Sequence, residues 1–449
     1  MTTTDGKTTD GTARGELRKE LGTRELTVYY LSALVGAGIL VVPGIALEIA
    51  GPASLVAWLV LSLATFPIAG VFARFSAEYP NAGGVSYLVR TAFGWRAGTS
   101  VGIFLLLLNL AANPILGLAA ARYLAALFGW TDRVAILTAG FVVMSIAVVL
   151  NMAGILIASR VQLAMVVGLA IGLFVVIAVT LPAADPSRLT PFAPHGWTAI
   201  GAAIVVCFFS FFGWETVAHV ADEVREPRRS YPRAALLAAG LLGVLYCTLA
   251  LVLAMVVPAD AANKAAALSA MLQFSQGDTA AKVGAAFAVV LLVVTTNAWV
   301  CGASRLFYAM ARDRVVPHRI SRISGRNGAP LIALALTWLA YLIDFTVLYV
   351  IGGDESDLIA FTAASILVVY IATFLAGIRL FADRATRLLC GLALAAVTAF
   401  LLGGGLPSLL AVGGYLLAVG YVLARRPPEA APPDATPPDA APPETAPAT

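Results

Sequence analysis

Charge is scarce in this sequence. Asp, Glu, Lys and Arg make up 12% of its 449 residues and hydrophobic residues 60%, against about 25% charged and roughly 45–50% apolar in soluble globular domains. A soluble fold cannot hide so large an apolar fraction. Cysteine is also rare: Cys207, Cys247, Cys301 and Cys390 stand singly without CxxC spacing, which excludes a disulfide framework and a cysteine metal site. His195, His219 and His318 fall in separate regions with no partner four residues away, so no zinc or haem site is expected. There is no HExxH, no GxSxG and no pairing of His with a carboxylate at membrane depth, and the chain is therefore not read as an enzyme. Residues 1–26 carry Lys7, Arg14, Arg18, Lys19 and Arg24 and lack an apolar core, so no cleavable signal peptide is expected and the first span should do its own targeting.

What is present is a series of uninterrupted apolar runs of about 18–25 residues, the length a helix needs to cross a hydrocarbon core of roughly 30 Å. The runs predict about twelve transmembrane helices, near 27–49, 53–73, 97–127, 134–151, 159–182, 197–221, 234–257, 281–311, 331–350, 355–378, 388–403 and 405–424. The fold class is thus an all-α polytopic membrane protein. Arginine and lysine crowd alternate connections, leaving only Arg122, Arg133, Arg188, Lys264 and Lys282 on the other side. The positive-inside rule then places both termini in the cytoplasm. The net charge of +4 is accordingly a topology signal and not a nucleic-acid one. Residues 1–26 form a cytoplasmic segment, and 427–449, rich in Pro and Ala, are expected to be a disordered cytoplasmic tail.

Two spans break helix rules in their middles. The first carries Val35-Gly36-Ala37-Gly38-Ile39 with Pro43 a turn later. Glycine costs about 1 kcal/mol against alanine inside a helix, so unwinding there is cheap. Freed amides at membrane depth need a cavity or ligand to face, and at the start of a half-helix they suit a carboxylate. The second break is Ser210-Phe211-Phe212-Gly213-Trp214-Glu215. An ionisable group as deep as Glu215 costs at least about 2.5 kcal/mol unless partnered, and freed backbone amides are its expected partners. Carbonyls near Phe209 to Phe212 could accept an ammonium group. One break offers donors and the other acceptors, matching the two ends of a zwitterion. A lone GxG is more often a packing patch. The breaks, however, fall in the first helix of each of two five-helix groups, 27–182 and 197–378, the pattern of an inverted-repeat transporter. Residues 388–424 add two further helices.

Three motifs carry a resemblance: Gly36-Ala37-Gly38-Ile39; Pro80-Asn81-Ala82-Gly83-Gly84 through Arg90, Ala92, Phe93 and Gly94; and Phe212-Gly213-Trp214-Glu215 running into Glu223, Pro227, Pro232 and Arg233. Together they resemble the amino acid–polyamine–organocation superfamily of permeases, from Glu20 to about Arg426. The stretch FFGWETVAHVADEVREPRRSYPRA is similar to the branch of bacterial methionine and branched-chain amino-acid exporters. The resemblance implies a 5+5 inverted-repeat, LeuT-like core with discontinuous first and sixth helices. It implies that Gly36, Ala37, Gly38 and the adjoining Ile39 bind the substrate carboxylate, while main-chain carbonyls at Leu34, Phe209 and Phe212, beside Ser210 and Gly213, hold the amino group. Phe209 would act as a lid, Glu215 with Trp214 would brace the unwound segments, and the re-entrant loop bearing Arg90 would form part of the inner gate. Ala37 replaces the usual Ser or Thr, so carboxylate binding would rest on backbone. The fifth span lacks the lysine that some proton-coupled relatives carry.

Candidate pocket-lining groups are Asn109, Asn113, Asn297 and Ser365, none of which could neutralise a charged side chain. The expected substrate is therefore a neutral, apolar L-amino acid of branched-chain or methionine type, moved across the cytoplasmic membrane by alternating access, in the export direction if the resemblance carries that far. Thr295 and Thr296 are a candidate ion site; the coupling ion, sodium or proton, is left open, as are the oligomeric state and a different amine or amino-acid cargo. Asp344, in the peripheral ninth span, is expected to be paired or near an interface. No cofactor and no nucleic-acid partner is expected. The competing reading is a substrate-sensing membrane receptor on the same fold, which long soluble loops would have marked.

Overall fold

The computed structural model describes residues 22–35, 38–79, 84–154, 159–214, 224–259, 261, 264–312, 315–324 and 329–424. Among these residues the chain is helical with no strand. The first expected span is two helices, α1 (Thr23–Leu34) and α2 (Gly38–Ala50), and a 3-10 turn leads into α3 (Ser54–Glu78). Then come α4 (Gly84–Phe93), α5 (Trp95–Ala112), α6 (Pro114–Phe128), α7 (Arg133–Met152), α8 (Ser159–Thr180) and α9 (Ala199–Phe208). The second half of the chain holds α10 (Pro227–Val256), α11 (Ala267–Gln276), α12 (Asp278–Arg312), α13 (Leu331–Ile351), α14 (Glu355–Leu380), α15 (Arg384–Gly403) and α16 (Leu406–Leu423).

Nine stretches among the described residues are long and apolar enough to cross a membrane, and two shorter apolar helices, Val167–Ala183 and Ala199–Phe211, accompany them. The Gly38–Glu78 stretch contains both the later half of the first expected span and the whole second one. The expected polytopic helical architecture is therefore observed. Two local features differ from the sequence reading. The expected re-entrant loop carries an amphipathic helix, α4, which buries Val85, Leu88, Val89 and Ala92, and Arg379 stacks over the ring of Phe93 at 5.5 Å. The third span is jointed at Asn113, because Pro114 begins α6 without the N–H that would continue the ladder of α5.

The main core gathers α1, α2, α3, α6, α9, α10 and α14, while a second apolar cluster joins α6, α7, α12 and α13. α3 lies along α10, and α2 packs on α9 and α10. Since lipid supplies no hydrophobic drive between helices, close packing and interhelical hydrogen bonds hold such a bundle together.

Candidate functional site

The two sequence-flagged breaks meet. On the first span, Val35 has left the helix at φ −79° and ψ 82°, and helix resumes at Gly38. On the second, α9 tightens into a 3-10 turn over Phe209–Phe211, after which Phe212 is extended at φ −87° and ψ 141°. Gly213 then takes φ 128°, a conformation open to glycine and strained for any side chain. A Cβ placed on Gly38 would lie 3.1 Å from Ser210 Oγ and 3.2 Å from Phe209 Cδ1. Glycine at 38 is thus what lets the start of α2 approach the break in the opposite helix.

A tyrosine bridges the breaks. The hydroxyl of Tyr246, on α10, lies 2.9 Å from the carbonyl of Leu34 and 3.0 Å from that of Ser210. Both helices stop there, so both carbonyls lack a regular helical donor. The hydroxyl has one proton for two acceptors, and each carbonyl keeps a second lone pair. Tyr246 also belongs to an aromatic triad with Trp58 (5.5 Å between centroids) and Phe211 (5.1 Å). On the far side of the second break, Trp214 packs on Tyr30 of α1 at 5.3 Å. Around this junction Ser210 Oγ, Trp214 Nε1 and Tyr30 OH are buried and have no hydrogen-bond partner. Unmade hydrogen bonds of buried groups cost about 1–3 kcal/mol each. Their gathering on the broken helices is what a polar cargo would resolve.

The other sequence-flagged residues distribute as follows. Leu34 and Ile39 are buried beside the breaks, and Phe209 and Phe212 are half-buried. Gly36, Ala37 and Glu215 lie outside the described residues. Ser365 is buried with its hydroxyl unpartnered, on α14, which packs against the 3-10 turn of the second break. Asn113 instead donates to the hydroxyl of Tyr341 at 2.6 Å, a bond from the joint between α5 and α6 to α13. The backbone carbonyl of Asn297 accepts from Asn151 at 3.2 Å, while its own Nδ2 is unpartnered. Asn109 is half-buried. Thr295 and Thr296 donate to Leu291 and Leu292 of their own helix at 2.8 and 2.7 Å. Arg90 is exposed in the last turn of α4. Asp344, expected to be paired or near an interface, has its buried Oδ2 without a hydrogen-bond partner.

Sequence reading missed Tyr246, Trp58 and Tyr30. A tyrosine within an apolar span carries a hydroxyl that must find a partner once buried, and that was the available signal.

A bundle of membrane-length helices in which an interrupted first span meets the broken end of α9 has the arrangement of a transport protein of the permease type. The amino acid permease family model matches residues 21–422, and the chain belongs to that family. It is 29% identical to the amino acid permease YecA of Bacillus subtilis, over 82% of this chain and 87% of that protein. It is also 29% identical to the L-methionine/branched-chain amino acid exporter YjeH of Escherichia coli, over 82% and 88%. With the branched-chain amino acid permease BcaP of Bacillus subtilis the identity is 26%, over 72% of each chain. These are transporters by name and family, not enzymes.

Proposed function

We propose that the chain is a secondary transporter of a neutral, apolar L-amino acid of branched-chain or methionine type, working by alternating access in the cytoplasmic membrane with both termini inside. The observation that carries this reading is the contact of Gly38 with Ser210 and Phe209. It brings the start of one half-helix, rich in free amides, against the carbonyl end of another. A zwitterion's carboxylate and ammonium fit between them. The described side chains at the junction, Tyr30, Trp58, Ser210, Phe211, Trp214 and Tyr246, carry no charge. They supply aromatic surface and hydroxyl or indole donors, which favour an apolar side chain over a charged one. The names of the methionine/branched-chain exporter and the branched-chain permease support the same class.

On this reading the groups 27–182 and 197–378 are inverted repeats that rock around the fixed site. Whether net flux runs inward or outward follows from the coupled gradient, not from the fold.

The test is counterflow uptake of labelled leucine and methionine into proteoliposomes, by the parent and by Gly38→Trp. Parental uptake that the folded, monodisperse variant loses is the expected result. A folded parent that moves neither substrate overturns the assignment.

A further inference from the structure

α6 brings two neighbouring side chains to the outer flank of the junction, and neither is used by the site described above. Tyr123 is fully buried. Its hydroxyl donates to the carbonyl of Leu40 at 2.7 Å and accepts the N–H of Leu268 at 3.3 Å. Leu40 lies two residues beyond Gly38 on α2. Leu268 lies in the first turn of α11, where N–H groups have no intrahelical acceptor. A hydroxyl can donate and accept at once, so a single oxygen joins α2, α6 and α11. The preceding residue, Arg122, forms a two-pronged pair with Glu355 at the head of α14, at 2.6 and 2.9 Å.

The segment held by Tyr123 is a cover seated in the bundle. Ala266, Ala267, Leu268 and Met271 are at most 1% exposed. The chain just before them lies so close on α2 that a Cβ at Gly44 would collide with the Lys264 carbonyl.

We infer that Tyr123 is a positioning residue that couples this outer cover, 264–276, to the half-helix α2 that begins at the substrate junction. The cover seats while α2 presents the Leu40 carbonyl to the hydroxyl. When α2 tilts away, the hydroxyl loses its acceptor, the Leu268 N–H loses its oriented partner, and the cover lifts. The coupling rests on the transport reading above, on which the five-helix group that carries α2 rocks around the site.

The experiment is site-directed thiol labelling of the full chain in proteoliposomes. Cys207, Cys247, Cys301 and Cys390 are replaced by Ser or Ala, Ala266→Cys serves as reporter, and a charged, membrane-impermeant maleimide is added from the outer side. Tyr123→Phe keeps the ring and removes only the hydroxyl. It should speed labelling about tenfold, while labelling of Thr131→Cys, exposed in the α6–α7 connection next to Arg133 and so on the same side as Lys264, stays unchanged. Equal rates in parent and variant would overturn the inference. So would acceleration by Glu355→Gln without acceleration by Tyr123→Phe, which would assign the latch to the ion pair. If Tyr123→Phe does not fold, Leu268→Pro removes the other partner's N–H at a helix start that tolerates proline, and the same two outcomes decide. The reporter needs no cargo. Failure of leucine and methionine counterflow would therefore overturn the substrate class and leave the labelling result to stand or fall by itself.

Discussion

The two halves of the first span are built from similar residues and held in opposite ways. α2 is enclosed: Ile39 through Leu47 are all buried, and Glu48 is its one exposed residue. Tyr123 grips it at Leu40, and the Lys264 backbone lies against Gly44. Among its described side chains α1 buries the stripe Leu26, Thr27, Tyr30 and Leu34 and leaves Val28 at 49% and Tyr29 at 43% exposure. It rests chiefly on α10, and its last carbonyl is held by Tyr246. A membrane helix fastened along one stripe can swing with the loss of few contacts, whereas one enclosed all round cannot move without repacking its neighbours. The asymmetry makes α2 the half held in place in this conformation, Tyr123 being one of its fastenings, and α1 the half that moves at less cost.

The substitution that should disturb this comparison most is Tyr246→Phe. It leaves the Leu34 and Ser210 carbonyls without the hydroxyl and detaches the end of α1 from both α10 and the second break. Each buried acceptor left unmade costs about 1–3 kcal/mol, though retained packing of the ring limits the total to about 2 kcal/mol. Thermal unfolding in detergent should shift downward, and half-saturation in counterflow should rise by about tenfold or more as the junction loses its preset spacing. Unchanged half-saturation would show that the two breaks keep their register without Tyr246.

Much of this arrangement was legible in the sequence, for identifiable reasons. Gly36, Gly38 and Gly213 offend helix propensity inside otherwise apolar runs, and no packing demand visible in one dimension explains them. Both breaks could therefore be named, and Gly213 indeed adopts a positive φ. The residues that close the site were not legible. Tyr246 and Tyr123 are ordinary aromatics at helical spacing, and only the fold shows that their hydroxyls reach carbonyls 212 and 83 residues away in the chain. The same limit applied to Asn113. Its polarity marked it as noteworthy, but whether an intramembrane amide meets a cargo or a neighbouring helix depends on which way the joint at Pro114 turns it.

A smaller effect sharpens the comparison through matched deletions. Val42→Ala on α2 and Val28→Ala on α1 remove the same atoms from positions that are 0% and 49% exposed. In water both would lose transfer energy in proportion to burial. In a bilayer the lipid is as apolar as the core, so only lost packing counts. Val42→Ala should cost about 1 kcal/mol through the cavity it leaves, and Val28→Ala should fall within about 0.5 kcal/mol of the parent. Parallel chemical denaturation in mixed micelles measures both. Equal losses would mean that α1 is packed against something as closely as α2 is, and the proposed freedom of α1 would fail.

The smallest expected effect lies at the N-terminal end of α1. Glu25, in its first turn ahead of the apolar stretch, accepts the Gly22 N–H at 2.9 Å. Its own backbone N–H, then that of Gly22, with Arg225 and Arg24 adding attraction, hold the carboxyl below its ordinary value of 4.5. A carboxyl depressed in the folded state contributes stability above the unfolded value and loses it as pH falls through the folded one. Glu25→Gln should therefore melt slightly below the parent at pH 7, and the gap should close as the pH is taken below about 4. The gap stays small because the group is exposed to solvent, and added salt should narrow the part owed to the arginines. A gap that persists unchanged in acid would trace the effect to the shape of the side chain and not to its charge, and the start of α1 would then be held by packing after all.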